Sequence, residues 1–400
     1  MHTVTPDRPH HQQQSLRFLM LYALAAAGGS AAYAPFLTLL LPVRVTGQWG
    51  AQGLEILSYT AFAGAVAASI ANIVFGWLSD RTRNRRGWIL AGVFVSGVLL
   101  VAMQHVETVA SLLAMIVLWQ VGLNMMLNPL LAWAGDCVPD EQKGLLGGLL
   151  SIAPALGAFT GMIITYPGLA GGDTRLVLNA VIVAAMILPV VFFGRPRPMP
   201  HLVTAMHEEG RPAEHAKDEP VRRMWIARLL VQIAEAALFA FLLLWLRSID
   251  GTMTDNDTAR VFTVVLIASV PLALVIGRWS DKVDRPRLPL TVTAGGAALG
   301  LVALAGAHTG PTAMAAYVLF GVMAGIFLAL HSSQTLRVLP RPGTRGRDLG
   351  IFNLTNTVPS LVMPWIVLAL IPAFGFQGLF LLLAGLSAVA CLLLATMPRI

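Results

Sequence analysis

Twelve stretches of about 20 mostly apolar residues run through this chain, and that feature leaves few folds open. A stretch of that length spans the ~30 Å hydrocarbon core of a bilayer as a helix. Inside lipid, only helices and closed barrels satisfy their own backbone polar groups. The stretches cover 16–43, 54–78, 87–106, 109–134, 145–168, 175–194, 224–247, 258–278, 289–308, 311–336, 349–373 and 376–397. A barrel would show shorter, alternating segments. The 37 glycines and 24 prolines suit spanning helices, which tolerate both. Of the 400 residues, 56% are hydrophobic and 12% charged, more apolar side chain than a globule of this length hides, so the bilayer serves as solvent. The expected fold class is an all-α integral membrane protein with 12 transmembrane helices.

The loops sort by charge. With the N-terminus placed in the cytoplasm, 23 of the 27 Lys and Arg residues fall inside, leaving Arg44, Arg175, Arg247 and Arg260 outside. That bias places both termini in the cytoplasm of a multi-pass protein of the cell inner membrane. It also accounts for the net charge of +7 through contact with anionic headgroups, so no nucleic acid partner is needed. Residues 1–15 read as a polar cytoplasmic tail without a secretory cleavage pattern. Residues 195–223, rich in Pro and charge, read as a cytoplasmic linker between a six-helix bundle at 16–194 and another at 224–400.

The two bundles repeat each other. Gly76-Trp-Leu-Ser-Asp80-Arg81 follows the second span, and Gly277-Arg-Trp-Ser-Asp281-Lys282 follows the eighth, displaced by 201 residues. Asp136-Cys-Val-Pro139 maps onto Arg337-Val-Leu-Pro340 at the same displacement. A duplicated unit in parallel orientation is a secondary-transporter architecture, with a solute site near the midplane between the halves.

These residues resemble the major facilitator superfamily over essentially the whole chain. The run GWLSDRTRNRRGWIL at 76–90 is similar to that superfamily's signature between spans two and three, with Arg83 where a Gly is usual. Its form, together with 128–144 and 347–365, looks closest to the glycoside–pentoside–hexuronide and sucrose–proton symporters. The resemblance implies two pseudo-symmetric six-helix bundles, and gates in which Asp80 faces the N-terminus of span eleven and Asp281 that of span five. A carboxylate is favoured at a helix N-terminus. Gly76, Asp80, Arg81, Asp136, Gly277, Asp281 and Arg337 make up that expected cytoplasmic gate, with Asp136 in reach of Arg81 or Arg85 and Arg337 of Asp281. Asp residues that melibiose-type symporters carry within spans one, two and four have no counterpart here.

One acid lies far from any helix end. Glu235 sits 11 residues past Met224, roughly 16 Å along the axis at ~1.5 Å per residue. An ionisable residue at that depth is a functional candidate by default, here for proton coupling; the plain alternative is a neutral Glu bonded to a neighbouring helix. Arg228 and Gln232 precede it at helical spacing. Gln120, Asn124 and Asn128 repeat every four residues in span four, a stripe that must face protein or water and serves either solute hydroxyls or helix–helix contact. Asn353 and Asn356 in span eleven carry the same choice, and His331 in span ten is either a buried, satisfied ring or a proton relay.

The function expected is a proton-coupled symporter of a small neutral solute, with a sugar or glycoside as the leading class. It needs the bilayer, protons and the solute as partners, and is read as a monomer. The alternative is a proton-driven exporter of drugs or metabolites, since SIAPALGAFTG at 151–161 resembles the antiporter Gly-Pro-x-x-Gly-Gly signature with Ala153 and Ala158 replacing two glycines. No metalloprotease, nucleophile-elbow or nucleotide-loop motif is present, and Cys137 and Cys391 make neither a disulfide framework nor a zinc site. No enzyme activity, metal or cofactor is therefore expected.

Overall fold

The computed structural model describes residues 13–199, 219–283, 287–338 and 345–397, and every regular element among them is helical. The first crossing is built from α1 (Leu16–Pro35), a π turn at Phe36–Leu40 and α2 (Leu41–Trp49). Pro42 has no N–H to return to Thr38, and the helix widens by one residue just before it. Gly50, at φ 51°, ends that crossing. The second, α3 (Gly53–Thr82), ends on Arg83 in the left-handed conformation at φ 50°. That explains why related signatures place Gly there: a side chain at positive φ costs roughly 1–2 kcal/mol.

The remaining elements are α4 (Arg85–Ala102), α5 (Val109–Cys137), α6 (Asp140–Leu150), α7 (Ala153–Ile164), α8 (Thr174–Phe193), α9 (Glu219–Ile249), α10 (Asp255–Val283), α11 (Leu288–Ala305), α12 (Gly310–Val338) and α13 (Arg345–Ala395). Asn84 caps α4 by accepting from the Gly87 N–H, and Thr108 and Ser111 close a capping box on α5. The fifth crossing breaks into α6 and α7 ahead of Pro154, a residue suited to the first turn of a helix. Helix α9 starts at Glu219, so the end of the expected linker is helical; 200–218 lies outside the described residues. Among the described residues, ten helical stretches are long and apolar enough to cross a bilayer. Two of them, 16–82 and 357–395, have length for two crossings each and are interrupted at Gly50 and at Gly375, the latter at φ 63°.

The same packing occurs twice. Helices α3 and α4 lie against α5, as α10 and α11 lie against α12. Glycine sets the closest approach in each copy: an added methyl on Gly92 would sit 2.5 Å from the Met126 nitrogen, and one on Gly300 2.7 Å from the Phe320 nitrogen. Close backbone contact is what draws helices together in lipid, where burial against neighbouring chains gains little over lipid tails. Gly76 and Gly277 repeat a further contact, against Asn128 of α5 and Leu330 of α12. Large apolar side chains point outward, Ile73 at 76% and Phe94 at 72% exposure, as a lipid-facing surface requires. The halves meet where α7 lies on α10 and α3 on α13.

Candidate functional site

A cavity of about 200 Å³ lies between the halves. The first crossing contributes Leu37 and Leu41, α3 contributes Thr60 and Gly64, and α5 contributes Gln120. From the other half come Ala236, Phe239 and Ala240 of α9, and Ser360, Met363 and Pro364 of α13. Its polar groups are Thr60, Gln120 and Ser360, all uncharged. Drug-sized ligands occupy roughly 300–1,000 Å³, so a solute seated here is small.

The three stacked amides of α5 separate in role. Gln120 faces the cavity and is 8% exposed. Asn124 turns its Nδ2 onto the Gln120 carbonyl of its own helix at 2.9 Å. Asn128 donates to Asn72 Oδ1 of α3 at 2.5 Å, a helix–helix tie beside Gly76. The cause is geometric. Residues four apart on a 3.6-residue helix drift by ~40° per step, so a stripe of three sweeps from the cavity into the α3 contact.

Glu235 is half-buried on α9, next to the cavity-wall residue Ala236. Gln232 Nε2 donates to its Oε2 at 3.0 Å, while Gln232 Oε1 is buried with no hydrogen-bond partner. Arg228 is the charged neighbour of Glu235, and the Tyr33 and Tyr317 hydroxyls lie near the same carboxyl. Arg228 is held by Thr355 Oγ1 at 3.1 Å and the Leu328 carbonyl at 3.3 Å. Tyr33 and Phe239 stack across the halves at 6.2 Å, and the ring chain continues through Phe262 to Tyr317. His331 is wholly buried, bonded to the Met224 carbonyl at 2.9 Å and packed on Phe327, away from the cavity wall. The side chains of Asn353 and Asn356 lie outside the described residues.

At the basic end of the bundle Arg85 organises the first half. It meets Asp80 at 2.5 Å, Asp136 at 2.9 Å and Ser79 Oγ at 2.6 Å. Arg81 lies over the Trp77 ring and Arg86 over that of Trp133. The side chains of Asp281 and Arg337 lie outside the described residues, so the counterpart cluster is not described. Gln14, in the expected polar tail, is 4% exposed. It bonds the Cys137 and Arg197 carbonyls at 2.8 and 2.9 Å and exchanges hydrogen bonds with Gln142. The only hint in the sequence is its place directly before the α1 cap, Ser15.

At the opposite end, bonds cross between halves. Arg175 at the start of α8 pairs with Asp255 at the start of α10. Asn256 donates to the Met162 carbonyl at 2.9 Å and to Thr165 Oγ1 at 3.1 Å. Arg44 pairs with Asp173 at 3.1 Å and bonds the Gln104 carbonyl at 2.8 Å, and Arg247 donates to the Met253 carbonyl at 3.2 Å. Three of the four arginines expected outside are thus structural ties.

A family model described as Major Facilitator Superfamily matches residues 18–254 and 224–399. No curated protein sequence matches the chain. Among solved structures, a crystal structure of a mutant of the nucleoside transporter NupG superposes with a TM-score of 0.68 at 13% identity, over 96% of this chain and 100% of that one.

Proposed function

The chain belongs to the Major Facilitator Superfamily, and from that membership we propose a symporter that carries a small neutral solute inward by alternating access, coupled to protons exchanged at Glu235. That it is a multi-pass membrane protein for secondary transport, and not an enzyme, follows from the family and the apolar helices. The proposal adds direction, coupling and site. The observation that carries it is a carboxyl within a spanning helix, Glu235 of α9, one residue before the cavity-wall residue Ala236 and bonded by Gln232. A neutral, protonated Glu crosses between the two access states at little cost, whereas a charged one resists closure around it. In this reading 16–194 and 224–400 are the two moving bodies, 195–223 joins them in the cytoplasm, and the basic loops face inward at the cell inner membrane.

A sugar as cargo rests only on the resemblance of 76–90 to glycoside and sucrose symporters, a loop that carries gate geometry and does not line the cavity. The nucleoside transporter shares the fold, and at 13% identity it lends no substrate. Proton-driven export is the second reading. It is favoured by close α7–α1 packing at the antiporter-like segment, where a methyl on Gly157 would meet the Ser30 Cβ at 2.8 Å. Uptake into proteoliposomes under an imposed proton gradient tests the proposal. Glu235→Gln mimics the protonated form, so it abolishes driven uptake while sparing counterflow exchange. A variant that accumulates solute like the parent refutes coupling at Glu235, and accumulation only under the opposite gradient selects export.

A further inference from the structure

The cavity is built for a particular kind of solute. Its wall is aliphatic and aromatic, and the hydroxyl proton of Thr60 is already committed to the Leu57 carbonyl at 2.9 Å. Two further polar side chains line it: Gln120 of α5, 8% exposed, and Ser360 of α13. They come from opposite halves. Gln120 carries one acceptor oxygen and two N–H donors in one plane. Gly64 leaves it room, since an added methyl there would lie 3.4 Å from Gln120 Nε2.

An amide that faces an otherwise apolar cavity is best met by a group that satisfies its donor and its acceptor together, and a complementary amide edge does so. A sugar presents hydroxyls on every side, and most of them would be stripped of water against leucine, alanine, phenylalanine and methionine without a replacement bond. Among the described residues that line the wall none carries a charge to meet a carboxylate or an ammonium ion.

We propose that the cavity takes a small uncharged solute with an apolar body and a single amide-type donor–acceptor edge. The edge pairs with Gln120, and Ser360 contacts the same solute from the other half. Binding then draws on both moving bodies together, which is what a transported solute must do to favour the closed arrangement. This inference rests on the transport reading for its meaning, but its test is binding.

The experiment measures binding of benzamide, benzoate and methyl glucoside to the purified full-length chain, by ligand-induced thermal stabilisation and by calorimetry. Benzamide binds; benzoate and methyl glucoside do not. Gln120→Leu weakens benzamide about tenfold or more, the size of one lost buried hydrogen-bond pair, and Ser360→Ala weakens it less. Ala240→Leu, at a half-buried wall position of α9, fills the space and abolishes binding; its helical signal and unliganded melting point, matched to the parent, show that the fold persists. Binding of methyl glucoside in place of benzamide overturns the inference, as does benzamide binding indifferent to Gln120→Leu. Benzamide binding lost in Gln120→Leu upholds the inference even where a proton gradient drives no uptake, an outcome that counts against the transport reading alone.

Discussion

Arg175 and Arg85 are both largely buried arginines at helix starts, each paired with aspartate, yet they work on different scales. Arg85 gathers Asp80, Asp136 and Ser79 from its own half. It makes spans two, three and four one rigid end. Arg175 reaches across to Asp255 in the other half, and Asn256 beside it fastens onto Met162 and Thr165. The first arrangement is a staple within a body and the second a clasp between bodies. A staple sets stability and a clasp sets the balance of conformations, so the two ends should respond differently to the same chemical change.

The largest expected effect is at the clasp. Asp255→Ala leaves Arg175 buried without its carboxylate, and breaking such a pair costs about 3–5 kcal/mol. The clasped state loses that much relative to a state open at this end, more than a hundredfold in population. Cysteine labelling at cavity position Thr60 from the side that bears Arg175 should rise sharply, and unchanged labelling would show that the pair holds nothing closed. Arg85→Gln comes next. It removes the shared partner of Asp80 and Asp136 and should lower the melting temperature while leaving labelling at Thr60 unchanged; movement of labelling without loss of stability would reverse the assignments of staple and clasp. Asn256→Ala loses two hydrogen bonds, about 1–3 kcal/mol, and shifts labelling in the same direction as Asp255→Ala but less. Asp80→Asn is milder still, because the Asp80 side chain is 66% exposed and exposed pairs are worth about 0–1 kcal/mol. The smallest change is Arg83→Gly. It relieves a left-handed residue at φ 50° and raises stability by about 1 kcal/mol at most, since glycine also adds freedom to the unfolded chain. A lowered melting point would contradict it.

The helices and the repeat were legible because both are periodic. Twenty apolar residues require a crossing, and a 201-residue displacement of Gly76 and Asp80 onto Gly277 and Asp281 reports duplication. Within the site, the legible part was residue type. A stripe of Gln120, Asn124 and Asn128 announces a polar face, but which amide meets the cavity depends on a ~40° drift per step and on Asn72 standing opposite Asn128. Thr60 and Ser360 gave no signal, since a hydroxyl on a spanning helix usually bonds its own backbone. The clasp joins residues 80 positions apart at the starts of two helices, where no period operates. Arg175 was read as one of four outside charges, and only the folded chain brings Asp255 to it.

Interspin distances test most directly the proposed clasp between two moving bodies at the end bearing Arg175. Labels on Leu169 and Thr252 report the clasped end, and labels on Thr82 and Val283 the basic end, in parent and Asp255→Asn protein. The prediction is one short distance at the clasped end in the parent, a second and longer distance in the variant, and a matching shortening at the basic end. A clasped-end distance unchanged by Asp255→Asn, or one that lengthens while the basic end stays still, would contradict the claim that the two bodies rock about the cavity between them.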